Sequence, residues 1–207
     1  MLNTEKDRLS SVKFSIRKKL ILVFTSVILS LVLFVSVFIG YRVKKSDIAS
    51  FQKNVLREMK LTERGIRIFF DNTAKILNTL SGHPDVRAAD ISLHSYIREK
   101  ENIKSSDVLR SETELKIASL FKSIENGFPE YLEVYMGTKW GGSVTSYDGE
   151  MPAFFDPRKR KWYEDAVAAN GETVIAKAFE STVGDTVIGL YKSVFSNNND
   201  FLGVAGI

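Results

Sequence analysis

The stretch FDPRKRKWYEDA, residues 155–166, places four cations, Arg158, Lys159, Arg160 and Lys161, in what reads as the first turn of a helix. Asp156 suits the N-cap, Pro157 suits the first helical position, and Asn170-Gly171 supplies the stop. The start of a helix carries the positive end of its macrodipole, so a cation there is disfavoured by about 0.3 kcal/mol or more. Four of them together imply an anion that visits the helix start.

Outward from this helix the hydrophobic period is two. Upstream, YLEVYM (131–136) leads to glycines at 137, 141 and 142, then to SVTSY (143–147) and Asp148-Gly149, which is hairpin chemistry. Trp140-Gly141-Gly142 reads as the hairpin connection. Downstream, strands are expected over 173–176, 186–195 and 201–207, the last two joined by the polar turn 197–200. Further upstream the period is that of helices. Ser111 and Glu114 form a capping box before Leu115, Ala118, Phe121 and Ile124, and Asn126-Gly127 is expected to close that helix in the left-handed conformation. Residues 85–104 are polar and suit one or two short helices. Helices followed by an antiparallel sheet that one helix interrupts give an α+β fold. The apolar run FLGVAGI (201–207) reads as the interior of a sheet, so the chain is expected to be truncated, a piece of a longer one.

The N-terminal part differs in kind. LILVFTSVILSLVLFVSVFIGY, residues 20–41, is 22 residues without a charge, about 33 Å as a helix and enough to cross a bilayer. It exceeds the apolar core of a secretory signal and lacks a small-residue cleavage site, so it reads as an uncleaved transmembrane helix. Arg17, Lys18 and Lys19 on one side balance Arg42, Lys44 and Lys45 on the other, and the positive-inside rule does not choose. Only 19 residues precede the span, and long following domains cross a membrane largely regardless of charge. Residues 1–19 are therefore expected in the cytoplasm and 42–207 outside it, in a plasma (inner) membrane protein. Over 46–80, Ile48, Phe51, Val55, Met59, Ile66, Phe69, Thr73, Ile76 and Leu80 recur at spacings of three and four. They line one face of a long stalk helix, capped by Ser46 and ended by Ser81-Gly82-His83-Pro84.

Of 207 residues, 44% are hydrophobic and 26% charged, an ordinary balance for one or two domains. The net charge of +4 owes much to the cations flanking the span, which suit a membrane surface; no nucleic-acid-binding motif accompanies it. The chain has no cysteine, which excludes disulfides and cysteine metal sites. His83 and His94 have no partners at metal spacing, and no nucleophile elbow, phosphate loop or paired-acid constellation is visible. No enzyme, metal or cofactor is expected.

The span and stalk, then YMG, FDPRKRKWYEDAVAANGETV and NNNDFLGVAGI, together resemble the double Cache sensor domain of bacterial methyl-accepting chemotaxis proteins, over roughly residues 20–207. D-P-R-x-R-x-W-Y-x-D-A followed by N-G is the most specific part, and KFSIRKKLILVFTSVIL also resembles the start of such receptors. The resemblance implies a membrane-distal PAS-like module, here over about 111–207 and incomplete, with a five- to six-stranded antiparallel sheet holding a small ligand. It implies that Arg160 and Trp162 receive a ligand carboxylate and that Tyr163 belongs to the same site. Phe155 and Phe179 stand where amino-acid-binding members carry Tyr. Loss of those hydroxyls makes the expected ligand a small carboxylate-bearing molecule, not necessarily an amino acid. The expected partners are that ligand, the membrane and a second copy of the chain. A histidine kinase or cyclic-dinucleotide output, a membrane-anchored hydrolase and a stand-alone decoy or scaffold are the alternatives.

Overall fold

A computed structural model describes residues 15–181 and 185–207. Its internal contacts divide the chain after Arg64 into two units. Helix α1 (Ile16–Ser81), which belongs to the first unit as far as Arg64, runs without a break through positions 42–46, where the sequence reading starts a new helix at Ser46. Continuity has a simple cause. Gly40 costs about 1 kcal/mol against Ala, but the residues after it, Arg42 and Lys44 among them, carry no breaker. Ile16–Lys44 is long and apolar enough to span a bilayer, and its large side chains are exposed. Two of its hydroxyls are satisfied within the helix: Thr25 donates to the Ile21 carbonyl at 2.9 Å and Ser30 to that of Val27 at 2.9 Å. Such back-bonding lowers the cost that these two groups would carry in lipid.

The second unit, from Gly65, is built on a sheet. Its elements, after the last turns of α1, are α2 (Pro84–Arg87), β1 (Ile103–Lys104), α3 (Glu112–Gly127), β2 (Tyr135–Thr138), β3 (Ser143–Thr145), β4 (Glu150–Met151), α4 (Lys161–Ala168), β5 (Val174–Ile175), β6 (Phe179–Glu180), β7 (Thr186–Val187), β8 (Leu190–Phe195) and β9 (Phe201–Gly206). Five of the strands form an antiparallel sheet in the order β3-β2-β9-β8-β5, and β1-β4 and β6-β7 are separate two-stranded pairs. The α+β class and the antiparallel sheet are as expected. The strand expected over 186–195 is two, β7 and β8, serving different sheets.

Side chains alternate across the sheet. Val134, Met136, Val144, Leu190, Val194 and Ala205 join Leu77, Leu80, Ile117 and Phe121 in one core, which buries α1 and α3 against one face. Tyr191 and Val204 join Tyr163 and Ala166 in a second core, which buries α4 against the other.

Helix α3 shows one expected cap and two departures. Ser111 accepts from Glu114 N–H at 3.1 Å as its N-cap. The Glu114 side chain does not return to Ser111: it is buried and accepts from the His94 backbone N–H at 2.7 Å, pinning the segment before β1. Gly127 is the last helical residue and is not left-handed; Phe128, with φ −134°, is the C-cap. The Phe128 amide reaches back to the Ile124 and Glu125 carbonyls, so the orphan acceptors are met without a left-handed residue.

Candidate functional site

The cationic stretch folds as two short segments rather than one helical turn. Asp156, in extended conformation, accepts from Arg158 N–H at 3.1 Å and caps a 3₁₀ turn, Pro157–Lys159. Arg160, extended at φ −94° and ψ 140°, ends that turn and precedes α4. The reason is a contact with a distant strand. A Cβ added to Gly137 of β2 would lie 2.4 Å from Pro157 Cβ and 2.9 Å from Trp162 Cη2, so both residues rest on the same bare stretch of backbone. Residues five apart on a continuous α-helix point about 140° away from one another. The break at Arg160 is what brings Pro157 and Trp162 to one place.

This break also sorts three of the four cations, Lys159 having no ion pair among the described residues. Arg158 holds the Asp156 carboxylate with two hydrogen bonds of 2.9 Å. That pairing keeps the Asp156 pKa below the usual aspartate range and raises that of Arg158. Lys161 pairs with Asp165 one turn on. Arg160 has no carboxylate partner among the described residues; its guanidinium lies 4.8 Å from the centroid of the Phe155 ring. Phe155 itself is buried with Tyr96 and Met151. A guanidinium backed by an aromatic face and lacking an anion is poised for a bidentate carboxylate.

Beyond Arg160 the same sheet face carries an aromatic wall. Trp162 meets Tyr135 edge-on at 5.0 Å between ring centroids and stands 6.0 Å from Tyr191; Tyr135 and Tyr191 are 6.5 Å apart. Burial pushes the Tyr191 phenol up to about 12 and that of Tyr135 well above its ordinary value, with Tyr191 and then Glu133 adding to the latter. Both phenols stay protonated and are neutral hydrogen-bonding groups at any physiological pH. Gly206, facing Tyr135, gives the ring its room: a Cβ there would come within 2.7 Å of Tyr135 Cζ.

The structure sets Arg160 over Phe155, which packs with Tyr96 and Met151, and puts Trp162 in a separate cluster with Tyr135, Tyr163 and Tyr191. Tyr163 is buried in the same cluster as Trp162, 5.7 Å between ring centroids, and is edge-on to Phe201 at 6.2 Å, with burial raising its pKa to about 12. Phe179 lies on the β6-β7 pair, with 38% of its surface exposed, apart from the aromatic cluster. Sequence reading did not single out Tyr135 or Tyr191. The available signal was alternation: each stands between residues that face the helices, Val134 and Met136 for one and Leu190 and Lys192 for the other.

No family model matches the chain. In sequence it is similar to the methyl-accepting chemotaxis protein McpG of Pseudomonas putida, 37% identical over 76 residues, which is 37% of this chain and 12% of that protein. It is also similar to a probable methyl-accepting chemotaxis protein of Bacillus thuringiensis, 36% identical over 80 residues, 38% of this chain and 12% of the relative. Among solved structures, the ligand-binding domain of the Pseudomonas aeruginosa amino acid chemoreceptor PctC, in complex with GABA, superposes with a TM-score of 0.52 at 22% identity, over 71% of this chain and 58% of that one. The ligand-binding domain of the Pseudomonas fluorescens chemoreceptor CtaA, with L-serine, gives 0.54 at 19% identity, over 74% and 56%.

The fold is that of a chemoreceptor ligand-binding domain. Both comparisons agree with the Cache resemblance read from the sequence. This chain matches only 12% of the length of the curated receptors and little more than half of each solved ligand-binding domain. The sheet face that carries α4 holds the aromatic wall, and Arg160, which lies over Phe155, immediately precedes that helix.

Proposed function

We propose that this chain is the sensing end of a transmembrane chemoreceptor. On this reading it recognises a small carboxylate-bearing molecule on the α4 face of the sheet and signals across the membrane in chemotaxis. The observation that carries the reading is the charge state of the cationic stretch. Arg158 and Lys161 are neutralised by Asp156 and Asp165; of the two cations without an ion pair among the described residues, Lys159 and Arg160, Arg160 is the one that lies over an aromatic ring. Arg160 receives the carboxylate, Trp162 walls the site, Phe155 backs the guanidinium and Tyr163 fixes α4 from the core, while Phe179, on the β6-β7 pair, stays apart from them. The titles of the solved neighbours name GABA and L-serine as bound ligands, which supports an amino acid among the candidates.

Residues 20–41 cross the plasma membrane on this reading, with 1–19 cytoplasmic and 42–207 outside, the stalk over about 46–80 and the PAS-like module over about 111–207. Ile48, Phe51, Val55 and Met59 line one exposed side of α1 at spacings of three and four, which suits the seam of a homodimer. The similar proteins named above are chemotaxis receptors, which favours that output over a histidine kinase or a cyclic-dinucleotide enzyme, and a sensor over a hydrolase.

The test is a thermal-shift screen of small carboxylates on the whole chain in nanodiscs. A ligand at a hundredfold excess over its Kd adds about 2.7 kcal/mol to the folded state, several degrees in Tm. Arg160→Ala abolishes the shift; a shift that survives it rules out this site.

A further inference from the structure

His94 is one of two histidines in the chain, and its Nε2 is buried with no hydrogen-bond partner among the described residues. Glu99 Oε1 stands 3.3 Å away, in place to pair with the ring when the ring carries a charge. A buried polar atom without a partner is rare and calls for a reason. Here the reason is a proton. A neutral imidazole leaves the atom stranded, whereas an imidazolium meets a carboxylate.

The other groups around His94 are already committed. Its backbone N–H goes to Glu114 Oε2 at 2.7 Å, and Arg110 Nε lies 3.7 Å from the other oxygen of that carboxylate, whose pKa burial holds up against both partners. Tyr96 meets the imidazole edge-on at 4.7 Å between ring centroids. Its phenol is pushed up to about 12 by burial, then by Glu114, against Arg110, and lastly by Glu99, so it stays neutral. On the hairpin side, Ser143 N–H donates to the His94 carbonyl at 2.9 Å and the Ser95 hydroxyl to the Gly141 carbonyl at 3.1 Å. Arg158, beside Gly141, is paired with Asp156. Glu99 is the carboxylate that faces the stranded nitrogen.

Glu99 also connects this ring to Arg160. It follows a 3₁₀ turn, Tyr96–Arg98, and its carbonyl accepts from Phe154 N–H at 2.9 Å. Phe154 is left-handed at φ 57°, a conformation that a bulky residue keeps only where its surroundings impose it. Those surroundings are the Glu99 bond, the Ala153 N–H on Asn102 Oδ1 at 3.0 Å and the β1-β4 pair. Phe155, next in the chain, packs on Tyr96 and Met151 and lies under the Arg160 guanidinium.

We infer that His94 and Glu99 form a pH-sensitive latch on residues 150–155. With His94 protonated, the ion pair fixes Glu99, whose carbonyl holds Phe154 in its left-handed state and keeps Phe155 beneath Arg160. As pH rises through the range in which histidines lose their proton, the pair is lost and the segment loosens. Arg160 is therefore presented best at mildly acidic pH. That last consequence rests on the reading of Arg160 as the carboxylate receiver; the latch itself does not.

Amide hydrogen exchange of the whole chain in nanodiscs, with no ligand added and corrected for intrinsic rates, tests the latch at about pH 5.5 and about pH 8. Residues 150–155 are expected to exchange about threefold more slowly at the lower pH, the effect of a partly screened ion pair. His94→Gln and Glu99→Gln each remove the difference, and His83→Gln keeps it. A difference that survives His94→Gln belongs to Glu114 and overturns the inference. So does one that survives Glu99→Gln, one that disappears in His83→Gln, or equal exchange at both pH values in the parent chain. Should His94→Gln fail to fold, Glu99→Gln carries the test, because that side chain is 34% exposed. No ligand enters the measurement, so failure of the latch and failure of the carboxylate reading are told apart.

Discussion

Arg158 and Asp156 form a closed pair: two side-chain hydrogen bonds of 2.9 Å join them, and Arg158 N–H also donates to Asp156 at 3.1 Å. Asp156 thereby starts the 3₁₀ turn, neutralises one guanidinium and leaves the next, Arg160, without an anion. Asp156→Ala is expected to destabilise the fold by about 1 kcal/mol for the lost cap. Carboxylate binding weakens with it, because the backbone that presents Arg160 is no longer fixed. The pH dependence has a definite sign. The Asp156 pKa is depressed in the fold, chiefly by its hydrogen bond to Arg158, so its contribution is fully present above the ordinary aspartate pKa of about 3.9 and is lost as pH falls through the lower folded value. Acid unfolding followed by circular dichroism should show that low-pH loss in the parent chain and not in Asp156→Ala.

Gly137 joins the 3₁₀ turn, α4 and the sheet. An added methyl would sit 2.4 Å from Pro157 and 2.9 Å from Trp162, closer than any carbon contact allows. Gly137→Ala is expected to cost about 1 to 3 kcal/mol, as overpacking does. It also pushes the turn and α4 off the sheet. Thermal unfolding measures the first effect and calorimetry with a bound carboxylate the second. Unchanged affinity in a folded Gly137→Ala protein would separate the position of α4 from ligand recognition.

What the sequence disclosed followed from local chemistry. Asp156 before Pro157, Ser111 three residues before Glu114, and Asn170-Gly171 each mark an element boundary by their own backbone preferences, and the structure has a boundary at each: Asn170 and Gly171 are left-handed, with φ 48° and 96°. What stayed hidden depends on contacts between distant parts of the chain. The break at Arg160 is set by Gly137, which lies 23 positions upstream. The β6-β7 pair is only two residues deep, too short for a period to show. Gly127 has a left-handed preference that a backbone reach by Phe128 makes unnecessary. The site was half legible for the same reason. Arg160 and Trp162, the candidate residues, lie in one contiguous motif, whereas Tyr135 and Tyr191 reach the α4 face only through strand pairing.

Glu114 is buried and accepts the His94 amide, with Arg110 Nε 3.7 Å away. Burial raises its pKa more than those partners lower it. A carboxyl whose folded pKa is raised stabilises most below its unfolded value, about 4.3, and that contribution is lost as pH rises through the folded value. Glu114→Gln keeps an acceptor for His94 and removes the charge, so it should leave stability at neutral pH unchanged or improved. Glu114→Leu strands the His94 amide and should cost about 1 to 3 kcal/mol. Urea unfolding of both variants at neutral and mildly acidic pH checks the order.

The exposed side of α1 offers a test that the composition makes clean. The chain contains no cysteine, so a single introduced one can form a disulfide only with another copy. Phe51, Val55 and Met59 fall within about one-quarter of the helix circumference, whereas Lys53 lies on the opposite side. If two copies pair in parallel along this stripe, Val55→Cys meets its own equivalent, and mild oxidation in membranes gives a dimer band on a non-reducing gel. Lys53→Cys stays monomeric under the same conditions. Val55→Glu places like charges opposite one another in the seam, so it should abolish crosslinking from a second cysteine at Met59, since a buried unpaired charge costs more than the apolar contact gains. Equal crosslinking from the Lys53 and Val55 positions would mean that collision, and not this seam, brings the copies together.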